Sequence, residues 1–318
     1  MASLVTKAKG LKTSKFAGMK LIHGGTYMMG CEDFYPDEKP LRRATVGDFW
    51  MDETPVTNAQ FAQFVEATGY VTFAELPPNP ADYPGMPPEM VKPGSAVFVG
   101  TPGPVDLTGG PIWWDYVFGA DWRHPRGPDS SYLDVLDHPV VHIVHADAAA
   151  YAKWAGKSLP SEAEWEYASR GGTTTPYVWG EELELDGQQM AKTFQGVFPY
   201  QNDAPEGLKF TAPVRSYPAN AYGLYDMIGN VWEWTEDWYT GNPGANAPSC
   251  CGVPKYKAVS REESLDPRSA TPIPRMVLKG GSHLCAPNHC QRYRPAARWA
   301  QFIDTSTSHL GFRCIARR

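Results

Sequence analysis

Near its carboxyl-terminal end the sequence reads Gly280-Gly281-Ser282-His283-Leu284-Cys285-Ala286-Pro287-Asn288-His289-Cys290-Gln291-Arg292-Tyr293-Arg294. A pair of thiols at this spacing can hold a soft metal such as Cu(I), form a disulfide, or exchange with the thiol of a substrate. The glycines before the pair permit a tight backbone turn, and the arginines after it favour thiolate over thiol. The spacing alone leaves these three chemistries open.

The composition predicts a single, loop-rich domain. The chain has 318 residues, which suits one large domain or two small ones, and 42% of them are hydrophobic, enough for a sizeable core. The 30 glycines, 30 prolines and 11 tryptophans indicate a fold held by aromatic side chains rather than by long regular elements. Because no internal repeat or shift in composition marks a boundary, we predict one α+β domain with little regular secondary structure.

The charge and the N-terminal residues bear on partners and location. The formal net charge of −6 argues against nucleic acid as a partner, since proteins that bind it usually carry a basic surface. No apolar run reaches the ~18 residues that suggest a membrane span. Residues 1–20 are basic but lack the hydrophobic stretch of a secretory signal. We therefore expect a disordered tail at 1–18, a folded domain at 19–318, no membrane contact and a cytoplasmic location.

Six cysteines are too few, in a chain of this length, to form a disulfide-dense framework. Cys250 and Cys251 are adjacent in a stretch rich in proline and glycine, so we expect them in a surface loop. The sequence predicts unpaired cytosolic thiols. The remaining cysteines are Cys31, Cys285, Cys290 and Cys314.

Local signals predict several short elements in the first third of the chain. Residues 19–22 read as a strand that leads into a glycine-bounded, hairpin-like segment at 24–30. Thr57 and Gln60 form a capping box that begins a helix, and Gly69 ends it. Residues 76–111 are rich in proline and glycine, so we predict a long irregular excursion there.

Two further helices are predicted in the middle of the chain. An apolar strand at 140–144 leads into a helix that Asp147 opens and Gly156 ends. A second capping box, Ser161 with Glu164, begins a helix that stops at Arg170.

Five separated segments, which together span about residues 20–318, carry a family resemblance. They are residues 24–30; 55–64; 159–172, which begin Leu159-Pro160-Ser161-Glu162-Ala163-Glu164-Trp165; 220–234, Asn220-Ala221-Tyr222-Gly223-Leu224-Tyr225-Asp226-Met227-Ile228-Gly229-Asn230-Val231-Trp232-Glu233-Trp234; and the cysteine segment with residues 310–314. The chain resembles the formylglycine-generating enzymes, oxidases that activate sulfatases. The cysteine pair, with Trp122-Arg123-His124-Pro125, distinguishes these oxidases from their non-oxidising, C-type-lectin-related relatives.

The resemblance implies a fold and a reaction. The fold is the single, loop-rich domain of the formylglycine-generating enzymes, which is related to C-type lectins. These oxidoreductases use O2 and copper to convert the cysteine of a Cys-x-Pro-x-Arg motif, in an unfolded sulfatase polypeptide, into Cα-formylglycine.

The resemblance also assigns roles to individual residues. Cys285 and Cys290 would bind Cu(I) as thiolates, which suits a soft ion. The substrate cysteine would join them as a further sulfur ligand. Cys290 would be the partner for exchange with that cysteine, and Ser282 and Trp232 would line the pocket for O2.

Three departures from the family pattern stand out. Ala286 occupies a position that is often histidine, and His289 one that is often tyrosine. An imidazole differs from a phenol in acidity and in metal affinity, so His289 can tune the metal or bind it. The usual disulfide partner of Cys314 in secretory members corresponds to Ser169 here, which fits a reducing cytoplasm.

The resemblance also implies a structural Ca²⁺ site at Asp226, Gly229, Val231 and Glu233. Two carboxylates and two backbone carbonyls in a glycine turn suit a hard cation, although an ordinary polar turn would have the same residues. A second family calcium site is predicted to be lost, since its positions hold Lys192, Thr193, Glu206 and Leu208. The Lys192 ammonium would replace the charge of that ion.

Three histidines, His138, His142 and His145, have a spacing that would align them on a helix. Pro139 and the β-branched residues favour a strand instead, on which His142 and His145 point to opposite faces. We therefore expect structural histidines rather than a metal site.

The arginine of a substrate peptide needs a carboxylate partner. Glu75 and Asp115, in or beside the long irregular region, are candidates, and each is equally consistent with a solvated surface acid.

Two alternatives to the leading hypothesis stay open. A related oxidase with another peptide or thiol substrate is compatible with the changes around the cysteines. A non-catalytic, ligand-binding module of the same superfamily would leave the cysteine pair without a use.

Overall fold

A computed structural model describes residues 16–241, 243, 258–269 and 271–317. Within these ranges the α-helices are α1 (Asn58–Thr68), α2 (His145–Trp154) and α3 (Glu162–Arg170). The strands are β1 Met19–Ile22, β2 Gly25–Met29, β3 Arg42–Val46, β4 Phe49–Asp52, β5 Gly94–Phe98, β6 Trp114–Phe118, β7 Glu184–Leu185, β8 Gln188–Gln189, β9 Gly196–Val197, β10 Gln201–Asn202, β11 Trp232–Trp238, β12 Arg275–Lys279, β13 Arg298–Phe302, β14 Leu310–Gly311 and β15 Ile315–Arg317.

Both predicted capping boxes begin helices. Thr57 accepts the Gln60 N–H and Gln60 accepts the Thr57 N–H, which satisfies two N–H groups that an α-helix leaves unpaired at its start. Ser161 and Glu164 make the same reciprocal pair at α3. Gly69 follows α1 in the left-handed conformation, with φ 67°.

Helix α2 begins earlier than the sequence predicted. Its first residue is His145, and Asp147 lies one turn inside, where its carboxylate accepts the Val144 N–H at 3.1 Å. Asp147 therefore accepts the N–H of the residue before the helix from a position inside the first turn. It is not the N-cap residue itself. Gly156 follows the helix with φ 68°, as predicted for its end.

The predicted strand at 140–144 is wrong. The described chain has only an isolated bridge between Thr57 and Pro139 there, and no strand at 140–144. His142 adopts φ 61°, a left-handed conformation that interrupts an extended ladder. The segment is nonetheless buried, because Val140 and Ile143 belong to the main hydrophobic core.

Two other predictions need correction. Segment 24–30 contains β2, but β2 pairs with β3 and not with β1, so the hairpin partner lies further along the chain. Residues 76–111 are not wholly irregular, since β5 lies within them and pairs antiparallel with β6. Residues 1–15 of the predicted tail lie outside the described residues. The predicted surface loop with Cys250 and Cys251 also lies outside them. The Phe16 ring stacks on Trp50 at 4.6 Å.

One four-stranded sheet supports the cysteine segment. Its strand order is β13-β12-β11-β14, with antiparallel β13-β12-β11 and a parallel β11-β14 pair. A three-stranded sheet, β1-β4-β15, brings the two ends of the described chain together. No helix in the described ranges is long and apolar enough to cross a bilayer. The α+β class with short elements and a single loop-rich domain is confirmed.

Helix α3 carries a buried network of charges that joins it to the main sheet. Glu166 is fully buried and accepts the Lys279 ammonium at 2.9 Å and the Arg170 guanidinium at 2.8 Å. Glu162 pairs with Arg298 at 2.8 Å. Burial alone would raise the pKa of Glu166, but the charges of Lys279 and Arg170 outweigh it and hold that pKa at about 2. Glu166 is therefore ionised in the folded protein.

Two buried histidines predict a loss of stability in acid. Burial lowers the pKa values of His142 and His145 to about 4, below the ordinary 6.5 of an exposed imidazole. Between pH 6.5 and about 4 the unfolded chain binds protons that the folded chain does not. Each group then lowers the free energy of unfolding by up to about 1.4 kcal/mol per pH unit. The variant His142→Asn, which tolerates the left-handed φ, should reduce the slope of unfolding free energy against pH in this window.

The measurement is urea unfolding at several pH values. His23→Asn is the matched control, because the His23 side chain is 80% exposed and is solvated in both states. An unchanged slope in His142→Asn would show that His142 does not contribute to acid sensitivity.

Candidate active site

The cysteine segment begins with two glycines that no other residue can replace. Gly280 and Gly281 follow β12 with φ values of 94° and 72°. A Cβ atom on Gly281 would lie 2.8 Å from the Arg292 carbonyl oxygen, and one on Gly280 would lie 3.0 Å from both Met227 and Trp165. Both positions therefore require glycine, which confirms the predicted tight turn. The turn directs the chain from β12 towards the cysteines.

Cys285 and Cys290 lie side by side as free thiols. Their Sγ atoms are 3.1 Å apart, beyond the about 2.05 Å of a disulfide bond. The Ser282 N–H points at the Cys285 Sγ at 3.5 Å. Burial raises the pKa of Cys285. The hydrogen bond from the Cys285 thiol lowers the pKa of Cys290, and the charges of Arg292 and Arg294 act in the same direction. Cys290, which is half-buried, is thus the better nucleophile of the pair.

The two thiols line a cavity of about 720 Å³. Most of its wall is apolar or aromatic, and Arg292 is the only charged side chain among its described lining residues. The predicted residues Trp232, Ser282 and His289 line it together with both cysteines. Other lining residues are Tyr35, Leu107, Trp113, Trp114, Phe198, Trp299, Gln301, Thr307 and His309.

His289 is fixed by aromatic rings. It stacks on Phe198 at 4.3 Å with an angle of 3° between the rings, and it meets Trp113 edge-on at 5.2 Å. Burial lowers its pKa, so the ring is neutral near pH 7. No group of three or more His, Cys, Asp or Glu side chains arranged to hold a metal occurs in the described part of the chain. His289 thus forms part of the cavity wall.

The segment after Cys290 is clamped by residues near the other end of the chain. Arg294 binds Glu38 with two hydrogen bonds of 2.8 and 2.6 Å, and both side chains are fully buried. Arg292 donates to both carboxylate oxygens of Asp37 at 3.1 Å and lies 3.8 Å from the Tyr35 ring centroid. We call Tyr35, Asp37 and Glu38 the clamp. No local pattern predicts the clamp, because it contacts residues about 255 positions away.

The predicted calcium residues occupy one buried turn. Asp226 adopts φ 53°, and its Oδ2 accepts the Arg215 N–H at 2.8 Å. Glu233 accepts the Arg313 guanidinium at 2.7 and 2.8 Å and the Trp165 indole at 2.7 Å. Burial, with the nearby charge of Glu233, raises the pKa of Asp226 to about 6.

The backbone of the same turn offers further oxygen donors. No backbone N–H of a described residue donates to the carbonyl oxygens of Gly229 and Val231. These donors are of the type that a hard cation prefers.

Of the positions that match the second calcium site, Lys192 is buried and Glu206 is not. The Lys192 ammonium donates to the Thr193 carbonyl at 3.2 Å, and burial lowers its pKa to about 8. Glu206 is 81% exposed and pairs with Lys209. The loss of that site stays a prediction.

The two substrate-binding candidates do not lie where they were expected. Glu75 is ion-paired with Arg123, accepts the Trp122 indole at 3.3 Å, and lines a separate cavity of about 430 Å³. Asp115 is exposed on β6, where the alternation of side chains turns it away from the face of Trp114, which lines the thiol cavity. Neither carboxylate is among the described lining residues of the thiol cavity, and a role for either in binding the substrate arginine stays a prediction.

The histidine trio and Ser169 behave as structural residues. His142 bonds to Ser95 and to the Pro125 carbonyl at 2.7 and 2.9 Å, and His138 bonds to Thr211 at 2.9 Å. His145 lies edge-on to Trp234. The Ser169 hydroxyl is buried without a hydrogen-bonding partner among the described residues, and Cys314 is a buried free thiol.

Comparison with known proteins gives consistent matches. The sequence model of the "Sulfatase-modifying factor enzyme 1-like domain" matches residues 5–318. A protein named formylglycine-generating enzyme from Mycobacterium tuberculosis is 52% identical over 93% of this chain and 96% of its own. Its namesake from Mus musculus is 44% identical over 93% of this chain and 74% of its own. Among solved structures, PvdO from Pseudomonas aeruginosa has a TM-score of 0.58 at 22% identity and covers 94% of both chains, which supports the fold.

Proposed function

This chain belongs to the sulfatase-modifying factor enzyme family, and on that premise we propose that it converts a cysteine of a sulfatase polypeptide into Cα-formylglycine. The reaction is an oxidation by O2 that depends on copper, and the target cysteine lies in a Cys-x-Pro-x-Arg motif. The chain thus acts as an oxidoreductase on an unfolded protein.

One observation carries this proposal. Two free thiols with Sγ atoms 3.1 Å apart lie on the wall of a cavity of about 720 Å³, which has room for a peptide segment. A non-catalytic binding module has no use for such a pair. The wall around the two thiols is mostly apolar and aromatic, as is usual for a site that binds part of a ligand away from bulk water.

The donor set of the cavity fits copper. Two adjacent sulfur atoms, unbonded to each other, are the ligands that Cu(I) prefers, and Cys285 and Cys290 would hold it. Copper, when bound, would supply the one-electron chemistry that the reaction of O2 with a thiol requires. A third sulfur, from the substrate cysteine, can join because both thiols line the cavity and Cys290 is only half-buried.

The protein side chains prepare the thiols and the cavity. The charge of Arg292 and the Ser282 N–H stabilise sulfur as thiolate, the form that binds metal and exchanges with other thiols. Trp232 and Ser282 shape the part of the wall beside Cys285, and we assign them to the O2 pocket. His289 stays neutral and rigid between Phe198 and Trp113, so it limits the volume beside Cys290.

The test uses the purified protein loaded with Cu(I) and a Cys-Thr-Pro-Ser-Arg peptide in air. We expect the mass of the peptide to fall by the difference between a thiol and an aldehyde. A Ser-for-Cys peptide is the control and should not change. Tight copper binding without any change of mass would overturn the proposed substrate, and the absence of copper binding would overturn the proposed cofactor.

We also propose that Asp226, Gly229, Val231 and Glu233 hold a structural Ca²⁺. Burial, with the nearby charge of Glu233, raises the pKa of Asp226, and a cation at this turn would offset the cost of its ionised form. Ca²⁺ at one hundred times its dissociation constant should stabilise the fold by about 2.7 kcal/mol. The Tm should therefore rise with Ca²⁺ and fall with a chelator.

The variant Asp226→Gly keeps the left-handed turn but removes one ligand, so its Tm should no longer respond to Ca²⁺. Asp186→Gly is the matched control, because Asp186 is an exposed aspartate with a similar φ of 51°. Equal responses of the two variants to Ca²⁺ would place the ion elsewhere.

A further inference from the structure

Among the residues that the structure describes, strand β13 forms an unpaired edge of its sheet beside the thiol cavity. It is the outer strand of the four-stranded sheet, and Trp299 and Gln301 project from it into the wall of that cavity. Trp299 is 45% exposed, which is unusual for a tryptophan. An edge strand of this kind can accept a further strand from another chain.

The hydrogen bonds around β13 show which of its backbone groups face outward. The carbonyl oxygen of Arg298 accepts a hydrogen bond from the Arg292 guanidinium, so the backbone groups of residue 298 point away from β12. The Ile303 N–H donates to the Pro274 carbonyl oxygen, just before β12, so the backbone groups of residue 303 point towards β12. The backbone groups of successive residues alternate in direction. The N–H and C=O groups of Trp299 and Gln301 therefore bond to β12, whereas those of Ala300 point away from it.

Ala300 is the free point of that edge. The Arg298 carbonyl is used by Arg292, and the Phe302 carbonyl accepts the Thr305 N–H. By contrast, neither the N–H nor the C=O of Ala300 has a hydrogen-bonding partner within residues 16–241, 243, 258–269 and 271–317. One incoming residue can therefore form a pair of backbone hydrogen bonds there.

We propose that the substrate polypeptide docks as an extended, antiparallel strand on Ala300 of β13, with its target cysteine on the face of Trp299 and Gln301. This inference rests on the proposed function, since it uses the Cys-x-Pro-x-Arg motif. The residue that pairs with Ala300 is one of the two neighbours of the target cysteine.

Two independent requirements select this register. The cysteine side chain must face the thiol cavity, which is the face of Trp299 and Gln301. In an antiparallel pair, the residue opposite Ala300 projects its side chain to the same face as Ala300. The cysteine must therefore be one of the two residues adjacent to it, and the N–H of the cysteine points away from β13. The motif proline lies two positions after the cysteine. The nitrogen of the proline then also lies on the side away from β13, where its lack of an N–H costs no hydrogen bond.

A parallel docking can place the cysteine on the cavity face, but it puts the proline at a position that must donate an N–H. In a parallel pair, the residues that bond to Ala300 have side chains on the opposite face, which is the cavity face. The target cysteine would then be a bonding residue, and so would the proline, which has no N–H to donate. The cysteine–proline spacing thus favours the antiparallel arrangement.

The proposal predicts the effect of backbone changes on both partners. Ala300→Pro removes the outward N–H without touching the β12 ladder, so the Tm should stay within a degree or two while the KM for the peptide rises at least about fivefold. Ala300→Ser keeps the N–H and is the matched control. The kcat should change little in either variant, because the lost contact is the same before and during the reaction.

The peptide is tested by N-methylation of a Ser-for-Cys peptide, measured as inhibition of turnover. Methylation of one neighbour of the serine should weaken inhibition at least about fivefold, whereas methylation of the serine nitrogen itself should not. Turnover of the unmodified peptide is measured first. Its absence would refute the proposed function, whereas turnover with equal effects at all nitrogens, or an unchanged KM in Ala300→Pro, would refute only the docking on β13.

Discussion

Replacing Cys290 with alanine should abolish turnover of a Cys-x-Pro-x-Arg peptide, with a fall in kcat of at least about 10³-fold, the order seen when one member of a catalytic unit is removed. The half-buried Cys290 thiol lies 3.1 Å from Cys285, and the charges of the flanking arginines favour its thiolate. Neither the exchange with the substrate thiol nor the two-sulfur metal site survives without it. The measurement is peptide mass after incubation with Cu(I) and air.

The two cysteines should act as one unit. Cys285→Ala should be as inactive as Cys290→Ala, and the double variant should be no worse than either. Both sulfur atoms are required for the same step, so the loss of one already removes the whole effect. Copper stoichiometry, measured by competition with a chelator, should fall in the same variants. Cys31→Ala is the control, since Cys31 does not line the cavity and should keep full activity. More than a tenth of normal turnover in Cys290→Ala would contradict the assignment.

The largest loss of stability is expected for Glu166→Gln. The change leaves Lys279 and Arg170 facing each other in the protein interior without the carboxylate that both contact at 2.9 and 2.8 Å. Removing one partner of a buried ion pair typically costs about 3–5 kcal/mol, because the remaining charge keeps its desolvation cost. The free energy of unfolding, measured with urea, should fall by that amount.

Glu206→Gln provides the same chemical change at an exposed ion pair. Its partner Lys209 is 39% exposed and stays hydrated, so no measurable change in unfolding is expected. If both variants unfolded at the same urea concentration, the buried network would not be a determinant of stability.

The parts of the molecule that could be predicted from sequence depend on neighbouring residues. Local chemistry determines three such features: the capping boxes, the glycine turn before the cysteines, and the proximity of the Cys285 and Cys290 thiols. Each involves residues only a few positions apart. The strand expected at 140–144 failed because a β-branched run also suits a buried, irregular segment. Its left-handed His142 is set by bonds to Ser95 and Pro125, which are distant in sequence.

The residues that the sequence could not assign are those joined over long distances. Glu75 looked like a surface acid of the substrate groove, but Arg123 and Trp122 hold it at another cavity. Likewise, the open edge at Ala300 follows from the order of strands in the sheet, which no spacing along the chain reveals.

The clamp has a consequence for how the thiol site forms. Glu38 and its partner Arg294 are 256 positions apart, so the loop with both cysteines is held only after distant parts of the chain have met. Contacts of such long range slow folding. The two thiols are therefore unrestrained until the clamp closes, and competence for thiol chemistry arrives with the folded domain.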